Sequence, residues 1–192
     1  MKDYRPATVA QKFTMARQDS FDRGTIALGA LFAAQSLATN ANPSFGHGAA
    51  GYAKYFAAGY GDLVIGNMLT EGVYPSLLRQ DPRYFPKRQG GFWGRFAYAA
   101  QQAVITRSDT GRKQFNYSEF LGNATAVAIS NAYYPDNRTP RDAVVKFATQ
   151  IAVDTASNLL KEFYLDIQDK WFHSRTRKTG SLGPGLRSPE PE

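Results

Sequence analysis

Small side chains recur every four residues along most of this chain, and that spacing constrains the fold more than any other feature. Ala30, Ala34 and Ala38 form one row, and Ala49, Ala53, Ala57 and Gly61 form a second. Gly122, Ala126 and Ser130 follow, beside the parallel row Ala124, Ala128 and Ala132, and Ala148, Ala152 and Ala156 complete the set. Four positions is about one helical turn, so each row lies along one side of a helix, where side chains without bulk let backbones approach closely. Glycines in the same rows weaken an isolated helix, which points to packing rather than to helix propensity alone. Alternating strand patterns are absent. The fold class expected is therefore all-α: a compact bundle of about five to six helices with Ala/Gly-rich, close-packed interfaces.

Turn signals divide the chain. Helices are expected over about 8–20, 24–38, 48–72, 92–106, 118–132 and 140–171, with Asp22 or Thr25 capping the second and Asn116 or Ser118 the fifth. The segments TNANPSFGHG, TRSDTGRKQFN and YYPDNRTP read as loops, and PSLLRQD after Tyr74 reads as a short turn. Residues 1–7 read as a flexible N-terminus and 8–173 as a single helical domain. Residues 174–192, basic and rich in Gly and Pro with nothing to bury, read as a disordered tail.

At 192 residues one domain can bury a core, and a net charge of +7 favours anionic partners. Nucleic acid is not expected among them, because the arginines are scattered over loops and no RNA-binding aromatic signature or zinc-finger spacing occurs. The absence of cysteine excludes thiol nucleophiles, disulfides and thiolate metal sites. The longest apolar run, residues 24–34 (GTIALGALFAA), is about half of what a membrane span requires. The opening MKDYRPATVAQKF has no apolar core of the kind a signal peptide carries; an exported form would be a processed one.

Polar residues on apolar faces are the best site candidates. Asn67 and Glu71, Glu119 and Asn123, and Asn158 and Glu162 are pairs four apart, each at or near the buried side of its helix, while Lys146, Gln150, Ser157 and Lys161 read as the wet face of the last helix. A buried carboxylate must be neutralised, hydrogen-bonded or paired. The three pairs are expected to meet in one polar layer that Arg83, Arg95, Arg107 and Arg112 could reach. That layer reads as a register-fixing network, as exposed helix ends, or as a ligand site.

No catalytic motif survives its structural requirements. GHGAAG matches a dinucleotide fingerprint letter for letter, but a turn precedes it instead of a strand. His47 and His173 have no i+3 or i+4 partner, and no catalytic residue, metal or cofactor is read from the chain. Arg83, Arg107, Arg112 and Lys113 are candidate contacts for a phosphate or lipid head group. The stretch DPRYFPKRQGGFWGRF, residues 81–96, interleaves Tyr84, Phe85, Phe92, Trp93 and Phe96 with Arg83, Lys87, Arg88 and Arg95. Such a mixture suits a membrane interface or partner surface, and it equally suits a loop folded back over the bundle.

Read in order, LLRQDPRYF, TRSDTGRKQFNYSEFLGN, ISNAYYP and LLKEFYLDI resemble an uncharacterised family of bacterial envelope proteins, over about residues 12–170. The resemblance implies secretion and one helical domain, and no assigned activity. The expectation is a non-enzymatic helical protein of the cell envelope, on the periplasmic side, held against a membrane surface or a membrane-protein complex. The alternative is an enzyme or binding protein for lipid or cell-wall material, acting through buried Glu, Asn and Arg side chains.

Overall fold

The structure, a computed structural model, describes residues 4–179. Thr8 opens α1 (Val9–Ser20) with a reciprocal capping box to Gln11, and Asp22 opens α2 (Arg23–Ala38) by accepting from the Gly24 and Thr25 amides. After a 3₁₀ turn at Pro43–Phe45, α3 (Gly48–Asn67) runs without a break into a π-helical segment, Met68–Val73, and then α4 (Tyr74–Leu78). Next come α5 (Phe92–Val104), α6 (Tyr117–Tyr133), which the Asn116 side chain caps, and α7 (Pro140–Thr179). α2 packs on α3, α5 on α7, and the π segment sits between α1 and α6.

The fold is mostly helical, but the all-α expectation needs a correction. Three short strands, β1 (Gln80–Asp81), β2 (Ile105–Ser108) and β3 (Lys113–Phe115), form an antiparallel sheet in that order. Strands of two to four residues are too short to show alternation, which is why the segment around residues 106–116 reads as a loop. Its tip turns at Gly111, where φ is +82° and the amide donates to the Ser108 carbonyl. Gln80 knits the sheet to α6: its Oε1 accepts from the Ser118 amide at 2.7 Å and hydroxyl at 2.6 Å, and its Nε2 donates to the Phe115 carbonyl. Tyr4 donates to Asp81 at 2.6 Å, so residues 4–7 of the segment read as flexible lie against this sheet. α7 continues past its expected end to Thr179. Residues 180–192 of the expected tail lie outside the described residues, as do residues 1–3.

The small-residue rows are where the expectation fails most instructively. Only Gly122, Ala126 and Ser130 face inward as a set; adding a Cβ to Gly122 would bring it within 2.7 Å of the Thr70 methyl and 3.0 Å of its backbone nitrogen. On α2 the buried small residues are Gly29 and Ala33, one position before the predicted row, and Ala34 and Ala38 are exposed. Ala49, Ala53 and Ala57, Ala124, Ala128 and Ala132, and Ala148, Ala152 and Ala156 all face outward.

Polarity is inverted along with them. The largest fully buried side chains are Lys12, Gln80, Asn42, Asn123 and Asp81, whereas Trp93 (76%), Val144 (67%), Leu160 (65%) and Leu31 (62%) are exposed. α7 shows why. Lys146, expected on a wet face, donates to Asn131 Oδ1 and to the Asn137 carbonyl and lies over the Tyr134 ring. Gln150 and Ser157 line internal hollows, and only Lys161 stands at the rim. Helical periodicity defines a polar stripe but not its direction, and here the stripe finds hydrogen-bond partners inside.

Candidate functional site

The site begins with the π-helical segment, whose extra residue per turn swells the helix where it meets α6. Gly122 lets α6 come in close, and Asn116, by capping α6, starts the helix so that Glu119 and Asn123 face the swelling. Asn123, only 1% exposed, donates from one Nδ2 to Glu119 Oε1 at 3.0 Å and to Asp154 Oδ2 of α7 at 3.1 Å. Glu71 projects from the π segment to the same place, with one carboxyl oxygen, Oε2, buried and without a hydrogen-bond partner. On the outer side Lys161 donates to Asp19 at 3.1 Å.

Three acids, Asp19, Glu71 and Asp154, thus face the Lys161 ammonium, and Glu119 adjoins Asp154 and Glu71. Burial, then the Asp19 charge, pushes the Glu71 carboxyl up to about 8. Burial and the Asp154 carboxylate hold Glu119 well above the usual carboxylate range. Near neutral pH the cluster therefore keeps protons that ordinary glutamates have lost, and Glu71 can give or accept one there. A polar hollow of about 60 Å³ lies among Glu71, Glu119, Asp154, Asn158 and Lys161, room for about two waters at ~30 Å³ each. A second hollow of about 320 Å³, bounded by Met15, Asp19, Glu71, Arg83, Tyr84 and Lys161, adjoins it. Among the described residues no group of three or more acids, histidines or cysteines is placed to hold a metal ion.

Of the predicted polar layer, Glu71, Glu119 and Asn123 converge, and Asn158 stands in the wall. Asn67 lies beyond Asn123, in the next cavity. Glu162 goes elsewhere. It accepts from Arg95 Nε at 2.8 Å, from the Tyr84 hydroxyl at 2.8 Å, and from the Lys87 and Arg88 amides at 2.8 and 3.0 Å. Arg95 also reaches Asp166 and lies over the Phe163 ring. Burial works against this carboxylate, but Arg95 and the other donors outweigh it and hold it below the ordinary glutamate range.

The aromatic stretch divides at this clamp. Tyr84 and Phe85 fold back onto the body, while Phe92, Trp93 and Phe96 form an outward cluster of edge and tilted contacts. Of the four candidate anion contacts, Arg83 and Arg107 share the Phe85 ring, and Arg107 pairs with Lys113 across the sheet. Arg83 is held by Asp81 and Arg107 lies over Phe85, while Arg112 and Lys113 are exposed. His47 is exposed at the start of α3, and the side chain of His173 lies outside the described residues.

Asp19, Asp154 and Lys161 are the members that the pairing argument missed. Asp154 stands four residues before Asn158, on the stripe that also holds Gln150 and Lys161, so the signal was present in the spacing. The chain matches no family profile, no curated protein and no solved structure.

Proposed function

We propose that this protein is a non-enzymatic helical component of the cell envelope, on the periplasmic side, that works with its outer helix faces against an anionic membrane surface, alone or as an accessory of a membrane complex. One observation carries the reading. Beyond Arg23 on α2, along α5 and α6, and over residues 143–160 of α7, no charged side chain is exposed. Helices that face water carry charge there, and helices that face lipid do not. Exposed charge stands instead at Arg17 of α1, Lys54 of α3, Lys161 and Asp166 of α7 and in the connections, and Lys87 and Arg88 lie beside the exposed Phe92, Trp93 and Phe96, the pairing of rings and cations that lipid interfaces select. No helix among the described residues is long and apolar enough to cross a membrane, so the contact proposed is with the interface. The resemblance of the four sequence strings to envelope proteins supports the setting.

The test is flotation with vesicles of phosphatidylglycerol and phosphatidylcholine, read also by Trp93 fluorescence in a Trp171→Phe background with brominated lipids. Co-flotation and quenching of Trp93 are expected. A chain that stays wholly in the soluble fraction, with Trp93 unquenched, would contradict direct lipid contact.

A second reading is favoured by the Glu71 carboxyl near 8 beside an adjoining hollow. It makes the chain an enzyme or binding protein for lipid or cell-wall material, with Glu71 and Glu119 handling protons. Turnover of lipid or peptidoglycan fragments that disappears in a folded Glu71→Gln variant would favour it over the first reading.

A further inference from the structure

Beside the acid cluster a hollow of about 280 Å³ lies between α2, α3, α6 and α7, near the lower end of the range for small-molecule sites. Phe32, Leu63, Val145 and Val153 give it apolar walls. Its polar groups are unusual in one respect: two of them are left wanting. Asn42, 2% exposed, has a side-chain oxygen without a hydrogen-bond partner, and so has Gln150 across the hollow. The backbone of Asn42 is held in place. The Tyr55 hydroxyl accepts from its amide at 2.8 Å and donates to its carbonyl at 2.7 Å, clamping the backbone and leaving only the side chain unsatisfied.

A buried acceptor without a donor is costly, and natural interiors rarely keep one. Two in one cavity point to something that fills it. Water supplies donors, but the hollow has the volume of about nine waters at ~30 Å³ each, and the apolar walls offer those waters nothing to bond. The cation present does not supply the missing donors. Lys146 is occupied by Ser130, Asn131 and the Asn137 carbonyl. Asp62 and Asp154 add carboxylates at the lining, two more acceptors beside the unpaired amide oxygens.

We propose that this hollow is a binding site for a small amphipathic amine: an apolar, aromatic or branched body carrying an ammonium and a second donor such as a hydroxyl. The body packs between Phe32, Leu63 and Val153, and the donors reach Asn42 Oδ1 and Gln150 Oε1. Anionic molecules of the same shape are rejected, because they would set carboxylate against carboxylate. The inference is independent of the membrane reading.

Isothermal titration of the full chain with tyramine tests it, with 4-ethylphenol (no ammonium) and 3-(4-hydroxyphenyl)propionate (an anion) as comparators. Saturable one-site binding of tyramine is expected, at least tenfold tighter than 4-ethylphenol, with no binding of the anion. Gln150→Leu removes one unpaired oxygen with little change of shape. It should weaken tyramine about tenfold while raising the melting temperature of the empty protein. Val153→Trp fills the hollow and should abolish binding; where it fails to melt cooperatively, Gln150→Leu alone decides. Absence of saturable tyramine binding would show a hollow that holds water only and overturn the proposal. Binding that Gln150→Leu leaves unchanged, or that the anion matches, overturns it equally.

Discussion

Glu162 and Glu71 are both glutamates drawn out of water in the same helical body, yet their surroundings treat the charge in opposite ways. Glu162 is met by a guanidinium, a phenol and two backbone amides, and stays ionised more readily than in water. Glu71 is met by other acids and an unfilled hydrogen-bonding position, and is pushed toward its protonated form. The first staples a loop to α7. The second keeps a titratable group poised at neutral pH beside a hollow. Burial alone thus predicts neither role; the sign of the partners does.

The pH consequences run in opposite directions. The lowered Glu162 contributes stability that is present above its unfolded value near 4.5 and is lost as pH falls through the folded one. The raised Glu71 contributes stability that is complete below about 4.5 and is lost as pH rises through about 8. Together they bound a window of maximal stability from its acid and alkaline sides.

Breaking the clamp should give the largest effect. Glu162→Ala leaves Arg95 with Asp166 alone among carboxylates and frees the Lys87 and Arg88 amides and the Tyr84 hydroxyl, so it should produce the deepest fall in melting temperature of these variants. Hydrogen exchange should show those two amides opening, and retained protection would mean the loop is held by something else.

Glu71→Gln comes next and should act only on the alkaline side. It should be close to neutral at pH 5 and stabilising by on the order of 2–4 kcal/mol at pH 9. Denaturant unfolding at the two pH values measures this; an unchanged slope between them would remove the proton-holding role from Glu71. Gly122→Ala forces α6 away from Thr70 and should cost about 1–3 kcal/mol. Because it also separates Glu119 from Glu71, it should flatten the alkaline slope as well, which distinguishes it from plain overpacking. The smallest effect on folding belongs to Trp93→Ala, within about 0.5 kcal/mol for an exposed side chain. That variant should nevertheless bind anionic vesicles several-fold more weakly, and equal binding would take the aromatic cluster out of the contact.

Much of the helix plan was legible because its signals are local. Asp22 and Asn116 are visible as caps, and the turns around Pro43 and Pro135 fall between helices as their residues suggest. Glu71, Glu119 and Asn123 could be named because an acid and an amide one turn apart on an uncharged face need a partner. Asp154 is hidden by the expectation that the polar stripe of α7 meets water, and the spacing that sets Glu162 beside Glu71 and Glu119 carries no trace of its partner, Arg95, 67 residues away. The strands escaped notice because their pairing joins Gln80 to Ser108, and no local pattern records that.

By itself the sequence determined where helices start and stop, which residues share a stripe, and that a few acids would need company, since all of these follow from neighbours within one or two turns. Only the tertiary structure decided which side of each stripe is inside. That choice depends on whether the polar groups of one helix find donors and acceptors on another, as Asn123 does between Glu119 and Asp154. Once they do, hydrogen bonding satisfies part of the interior, and residues such as Ala148, Val144 and Leu160 are left to face whatever surrounds the protein.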